Sequence, residues 1–165
     1  MSQDNGVVAQ YATELPAYAE MARELQQMAT LDANASFEIS ARVINEIAQA
    51  ETIDDVFAAN EGGPQNIEQF LGQPLGVFDV RYWKSAEKYA AGTLGVYVVI
   101  DYIDHMGEAQ MVTTGAPNVV ASMRRLQLLN AFDGGKESPF WLQVVGRDTA
   151  SGTLYTVAKA EAPPF

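Results

Sequence analysis

Aromatic side chains alternate with cations in several stretches of the second half of the chain. Successive side chains of an extended strand point to opposite faces, so Arg81 shares a face with Trp83, and Trp141 shares one with Arg147. The outward-facing set predicted in this way is Arg81, Trp83, Tyr97, Trp141, Arg147, Tyr155 and Lys159. The loop that follows Trp83 adds Lys84, Lys88 and Tyr89. Aromatic rings stack on nucleobases and cations contact phosphates, which is the chemistry of single-strand binding.

The pattern predicts nucleic-acid contacts for Arg81, Trp83, Lys84, Lys88, Tyr89, Tyr97, Trp141, Arg147 and Tyr155. Plain alternatives remain, because large rings bury readily in a core, tyrosines pair across strands, and cations are often only solvated. The opposite faces are predicted to be core: Phe78, Val80 and Tyr82; Val96, Val98 and Ile100; Phe140, Leu142 and Val144; Leu154 and Thr156. The assignment assumes regular strands, since one β-bulge exchanges the faces.

Groups that could catalyse a reaction are scarce. His105 is the single histidine and there are no cysteines, so neither a triad nor a thiolate metal site can be assembled. Asp101 and Asp104 are close in sequence, but Asp104 lies in a predicted turn. No P-loop or Rossmann fingerprint is present. We therefore expect no enzyme activity, no cofactor and no metal.

The negative charge is concentrated in the first half. The 165 residues carry a net charge of −11. Residues 1–74 hold twelve acids and two bases (−10), whereas residues 75–165 hold nine acids and eight bases (−1). No signal peptide or membrane-length apolar run is recognised, so we expect a cytoplasmic protein. The asymmetry indicates two regions with different partners.

The elements that position these residues are predicted from periodicity. Apolar residues at helical spacing predict helices over 15–31 and 37–50, and Thr52 with Asp55 predicts the start of a third. Residues 75–84, 93–103, 108–114, 140–147 and 153–159 predict strands, and residues 117–130 predict a helix. This β-β-β-α-β-β order predicts an α+β protein with a five-stranded OB-fold barrel over residues 67–160, after an acidic helical region (1–66) and before a tail (161–165).

Part of this region resembles a known family. The sequence Leu94-Gly95-Val96-Tyr97-Val98-Val99-Ile100, then Gly107-Glu108, then Thr113-Thr114-Gly115-Ala116-Pro117-Asn118-Val119-Val120 and Arg125-Leu126, is similar to small phage single-stranded DNA-binding proteins, above all those of actinobacterial phages. The likeness covers roughly residues 70–160. It implies an OB-fold, sequence-tolerant binding of single-stranded DNA, and a role in phage DNA replication or recombination in the host cytoplasm.

The tail carries a second resemblance. Bacterial single-stranded DNA-binding proteins end in an acidic run and Pro-Phe, which recruits replication and repair proteins. Residues Glu161-Ala162-Pro163-Pro164-Phe165 keep the Pro-Phe end but have one acid and no long linker. The resemblance implies partner binding by Pro164 and Phe165.

Alternatives remain for both regions. The acidic helices can pack on the barrel or pair between subunits of a homo-oligomer, or they can dock a basic partner. The barrel can instead be a protein–protein interaction module with no nucleic-acid role, which the net charge favours, or it can bind an oligosaccharide.

Overall fold

The computed structural model describes residues 14–31, 35–61, 65–85 and 93–163. Within these ranges, four α-helices, six strands and two short 3₁₀ turns follow one another. The elements are α1 (Pro16–Leu31), α2 (Ala35–Gln49), α3 (Ile53–Glu61), β1 (Gln65–Asn66), a 3₁₀ turn (Ile67–Phe70), β2 (Leu75–Lys84), β3 (Val96–Ile103), β4 (Ala109–Thr114), α4 (Pro117–Leu128), a 3₁₀ turn (Gly135–Glu137), β5 (Phe140–Thr149) and β6 (Gly152–Lys159). The α+β class and the four helices confirm the prediction.

The strands form one open sheet in the order β1-β4-β3-β2-β5-β6. Strands β2 to β6 pair in antiparallel fashion, whereas the two residues of β1 run parallel to β4, with Gln65 beside Val112. The predicted barrel is therefore confirmed only in part, because its strands form an open sheet that does not close. Closure would require β4 to pair with β6, but β1 occupies the free edge of β4, and β6 is the last strand at the other end of the described sheet.

The core lies between one face of the sheet and helices α1 and α4. Val119, Val120 and Met123 of α4 are buried there. Leu25 is fully buried in α1, whereas Tyr18, Met21 and Met28 lie at the border of the core, because Ala19, Ala22 and Ala29 form the centre of the contact. Small side chains at helical spacing let a helix approach a sheet closely.

An ion pair links the two helices that cover this face. Arg124 of α4 donates from Nε to Oε1 of Glu24 of α1 at 3.0 Å. Arg124 is therefore engaged within the fold rather than free for phosphate. Leu129 is exposed, because the helix ends at Leu128 and Asn130 turns the chain with a positive φ of 64°.

Two local predictions about turns are confirmed. The backbone N–H of Asp55 donates to Oγ1 of Thr52 at 3.1 Å, which caps the start of α3. The carboxylate of Asp104 accepts the N–H groups of Met106 and Glu108 at 2.8 and 2.9 Å, so Asp104 organises the β3–β4 turn. Within the described residues, no helix is both long and apolar enough to cross a membrane.

Candidate nucleic-acid interface

A bulge in β2 decides which of its side chains face the core. The pairing of β2 with β3 shifts between Val77 and Asp79, so Phe78 has no partner in the ladder. Phe78 was predicted to be core, but it is half-buried and lies 5.3 Å beneath the ammonium of Lys136. After the bulge the alternation is regular, and Val80 and Tyr82 face the core as predicted.

The outer face of the sheet collects most of the predicted site residues. Arg81 lies opposite Val99 and Trp83 opposite Tyr97 across the β2–β3 pair, while Trp141 lies opposite Gly76 across the β2–β5 pair. Strand alternation places Arg147 on the same face as Trp141. Hence the residues placed on this one face are Arg81, Trp83, Tyr97, Trp141 and Arg147.

Trp83 is on this face but is not open to a ligand. Its side chain is only 5% exposed and packs with Val99, Tyr97 and Met111 in a second small apolar cluster. The ring meets Tyr97 edge to face, with centroids 5.5 Å apart and planes at 89°. Its Nε1–H finds no hydrogen-bond acceptor in the described part of the chain. Trp83 therefore supports Tyr97 and offers no free face for stacking.

Arg81 is held by an acid of the neighbouring strand. Its Nη2 lies 2.8 Å from Oδ2 of Asp101, and the two side chains are 17% and 4% exposed. A carboxylate this close neutralises the guanidinium and competes with any phosphate. Arg81 is therefore better placed to tie β2 to β3 than to hold a nucleic-acid backbone.

Trp141 is half-buried over a glycine. A Cβ built on Gly76 would lie 2.9 Å from Cζ2 of Trp141, which is closer than real Cβ contacts allow. The absence of a side chain at residue 76 thus creates the space that the indole occupies. Part of the indole remains accessible on the outer face.

Tyr155 lies on the other side of the sheet from the predicted one. Val157 pairs with Val144 and packs against the core. Tyr155 lies two residues earlier on the same face of β6 and also packs against the core. Leu154, predicted to be core, pairs with Arg147 on the outer side. Tyr155 pairs with Gly146 across the strands, and a Cβ added at Gly146 would lie in ordinary van der Waals contact with Tyr155 Cε1, at 3.6 Å.

A cleft of about 400 Å³ lies where β4 and β6 face each other without pairing. Tyr97 and Thr113 line one side, and residues 153–155 line the other. Ala116, Pro117 and Asn118, at the start of α4, close one end. Although Tyr97 and Tyr155 lie on different strands and faces, the structure brings both to this cleft.

Two exposed cations are close to cleft residues in the strand register, although neither lines the cleft. Arg147 pairs across the strands with Leu154, which lines the cleft, and Lys84 pairs with Val96, the neighbour of Tyr97. Both cations are exposed. Trp141, by contrast, lies six residues from Arg147 along β5, roughly 20 Å away. The predicted contacts at Lys88, Tyr89, Pro164 and Phe165 lie outside the described residues.

The electrostatics of the cleft favour a neutral tyrosine beside an anion. Burial raises the pKa of the Tyr97 hydroxyl, which keeps it protonated and able to donate a hydrogen bond. Ala116 at the start of α4 provides no side-chain cap, so the positive end of the helix dipole is open to the cleft. These features suit a ligand that carries a nucleobase and an adjoining phosphate.

Sequence reasoning predicted the helix that begins at Pro117 but gave the segment around its start no role in a site. This segment, Thr-Thr-Gly-Ala-Pro-Asn at residues 113–118, lines the cleft. Its joining of a strand end to a proline-started helix was the available signal. In the described ranges, no group of three or more His, Cys, Asp or Glu side chains is arranged to hold a metal.

Comparison with known proteins adds no relative: no family model, no curated protein and no solved structure matches the chain significantly.

Proposed function

We propose that this protein binds single-stranded DNA with little sequence preference and performs no chemistry on it. The observation that carries the proposal is the cleft at the open seam of the sheet. It brings Tyr97 and Tyr155 together, and the exposed cations Lys84 and Arg147 are close to its residues in the strand register. Stacking rings flanked by cations are what a binder of single strands requires.

The proposal includes an OB-type fold for strands β2 to β6. An OB-fold is a partly open five-stranded barrel that binds oligonucleotides near the loops joining strands one to two and four to five. The corresponding loops here connect β2 to β3 and β5 to β6. Thr93 of the first and Thr153 after the second both line the cleft, so the proposed site lies where this fold places its ligands.

Each side chain has a distinct proposed role. Tyr97 and Tyr155 stack on bases, and Lys84 and Arg147 contact phosphates. Trp83 packs against the Tyr97 ring and restricts its orientation. Trp141 extends the track along β5, and the roughly 20 Å to Arg147 is compatible with the 4 to 16 nucleotides typical of OB-folds. We propose a role in phage DNA replication or recombination, with Pro164 and Phe165 recruiting partner proteins.

Fluorescence anisotropy of a labelled oligo-dT, titrated with the protein at low and at moderate salt, tests the proposal. We expect saturable binding that weakens with salt, because bound cations release counterions from the strand. Unlabelled duplex DNA should not compete. Absence of binding at low salt would overturn the proposal.

The stacking roles are tested by replacing the cleft tyrosines. Tyr97→Leu and Tyr155→Leu should each weaken binding about 5- to 150-fold, as expected for loss of about 1–3 kcal/mol of stacking per base. Thermal melts of the same variants separate binding from folding. A loss of affinity that only parallels a loss of folded protein would return both rings to a structural role.

A second candidate function is that of a protein-interaction module. Neutralisation of Arg81 by Asp101, burial of Trp83 and the net charge of −11 favour it. Salt distinguishes the two functions, because an apolar protein contact lacks the steep salt dependence of phosphate binding.

A further inference from the structure

Helices α2 and α3 form a hairpin with an uncovered apolar surface. The two helices pack on each other, and neither shares an extended contact with the sheet or with α4 among the described residues. Ile53 and Phe57 of α3 are 78% and 65% exposed, and Ile44 of α2 is also exposed. Large apolar side chains clustered on a surface mark an interaction site.

The part of this hairpin that follows its one base, Arg42, is also acidic. Residues 43–60 contain four acids, Glu46, Glu51, Asp54 and Asp55, and no base. All four side chains are exposed. The hairpin therefore presents apolar anchors surrounded by negative charge, and the surface that covers it should be apolar with a positive border.

Such a surface exists elsewhere on the same chain. A groove of about 390 Å³ runs between α4 and the sheet, where β5 begins and β6 ends. Its floor is apolar, with Leu126, Phe140 and Val157, and Arg125 and Lys159 stand at its border. Both cations are exposed, and neither takes part in the ion pairs of Arg81 and Arg124.

We propose that the acidic α2–α3 hairpin of one copy docks into the groove between α4 and β6 of a second copy. Phe57 and Ile53 would enter the apolar floor, and the hairpin acids would face Arg125 and Lys159. Charge favours this pairing over hairpin against hairpin, which would bring two sets of acids together. The inference uses residues away from the cleft and does not depend on nucleic-acid binding.

The proposed contact is heterologous, because it joins two different surfaces. A single contact leaves one hairpin and one groove free, and these either close reciprocally into a two-fold dimer or extend the assembly into a ring or an open chain. Size should therefore grow with protein concentration in the absence of DNA.

Sedimentation velocity of the full chain, with two complementary variants, tests this inference. The hairpin variant is Ile53→Ser with Phe57→Ser, and the groove variant is Arg125→Glu with Lys159→Glu. All four side chains are exposed, so the fold should persist, and thermal melts check that it does. We expect wild type to self-associate and each variant to do so about 30-fold or more weakly, as when an interface anchor is lost.

The decisive sample is an equimolar mixture of the two variants. The intact groove of one should accept the intact hairpin of the other, giving a 1:1 complex that does not grow further. Leu15→Ser and Lys136→Glu change an exposed apolar residue and an exposed cation elsewhere, and should associate like wild type. A monomeric wild type, a groove variant that still self-associates normally, or a mixture that fails to pair would each overturn the inference.

Discussion

The two exposed cations beside the cleft should set the salt dependence of DNA binding. The affinity of a protein for single strands falls with salt with a logarithmic slope of about −0.7 for each phosphate contact. Replacing Lys84 and Arg147 by Ala should therefore make the slope shallower by roughly 1.4, or roughly 0.7 for either one alone. For a fourfold rise in salt, wild type should lose roughly sevenfold more affinity than the double variant.

The assay is the oligo-dT anisotropy titration repeated over a series of salt concentrations. Lys136→Ala is the matched control, since this exposed cation lies over Phe78, away from the cleft. We expect the control to keep the wild-type slope. Parallel salt plots for wild type and the double variant would refute the assignment of these cations to phosphates, even if both proteins bound DNA.

Three further predictions concern the elements that hold this face together. Gly76→Ala should lower the free energy of unfolding by about 1–3 kcal/mol in urea titrations, because the new methyl would overlap the ring of Trp141. Asp101→Asn should lower it by roughly 3 kcal/mol, since the largely buried Arg81 would lose its counter-charge. Burial, with a smaller contribution from a nearby acid, raises the pKa of Tyr102 to about 12, so stability present below pH about 10 should be lost as pH rises towards 12.

Each of these has its own control. Gly115→Ala adds the same methyl where the nearest atom lies at 3.6 Å, and it should be nearly neutral. Replacing both Arg81 and Asp101 by apolar residues should recover much of the loss caused by Asp101→Asn. Tyr102→Phe should flatten the alkaline decline. Equal effects of the two glycine changes, no recovery in the double replacement, or an unchanged alkaline decline would contradict the respective explanation.

The face assignment was predictable from sequence where a charged residue marks one parity of a strand. In β3, Asp101 shares a parity with Tyr97 and Val99, and the uncharged parity of Val96, Val98 and Ile100 faces the core as expected. In β6, Leu154 alternates with Tyr155 and Val157, so both faces are comparably apolar and periodicity alone could not choose between them. The register with β5, where Val144 meets Val157, made the choice.

The burial of a side chain was not predictable even where its face of the sheet was. Alternation placed Trp83 and Arg81 on the outer side correctly, but it says nothing about what lies against them. The burial of Trp83 depends on Val99, Tyr97 and Met111, and the charge of Arg81 is met by Asp101 from a neighbouring strand. Likewise, whether β4 pairs with β6 depends on which strand occupies the edge of β4, a contact between distant parts of the chain.

The burial of Trp83 also changes how the tyrosine cleft should work. An exposed Tyr97 ring would lose rotamer freedom on stacking with a base, at a cost in entropy. Here Trp83 and Val99 lie against one side of the site, and the edge-to-face contact at 5.5 Å limits how Tyr97 can turn. A ring fixed before the ligand arrives loses less freedom on binding.

Trp83→Leu should therefore weaken DNA binding without removing any DNA contact, and Tyr97→Leu should add little further loss in that background. Anisotropy titrations of the two single variants and the double variant measure this coupling, and strictly additive losses would show that Trp83 acts independently of Tyr97.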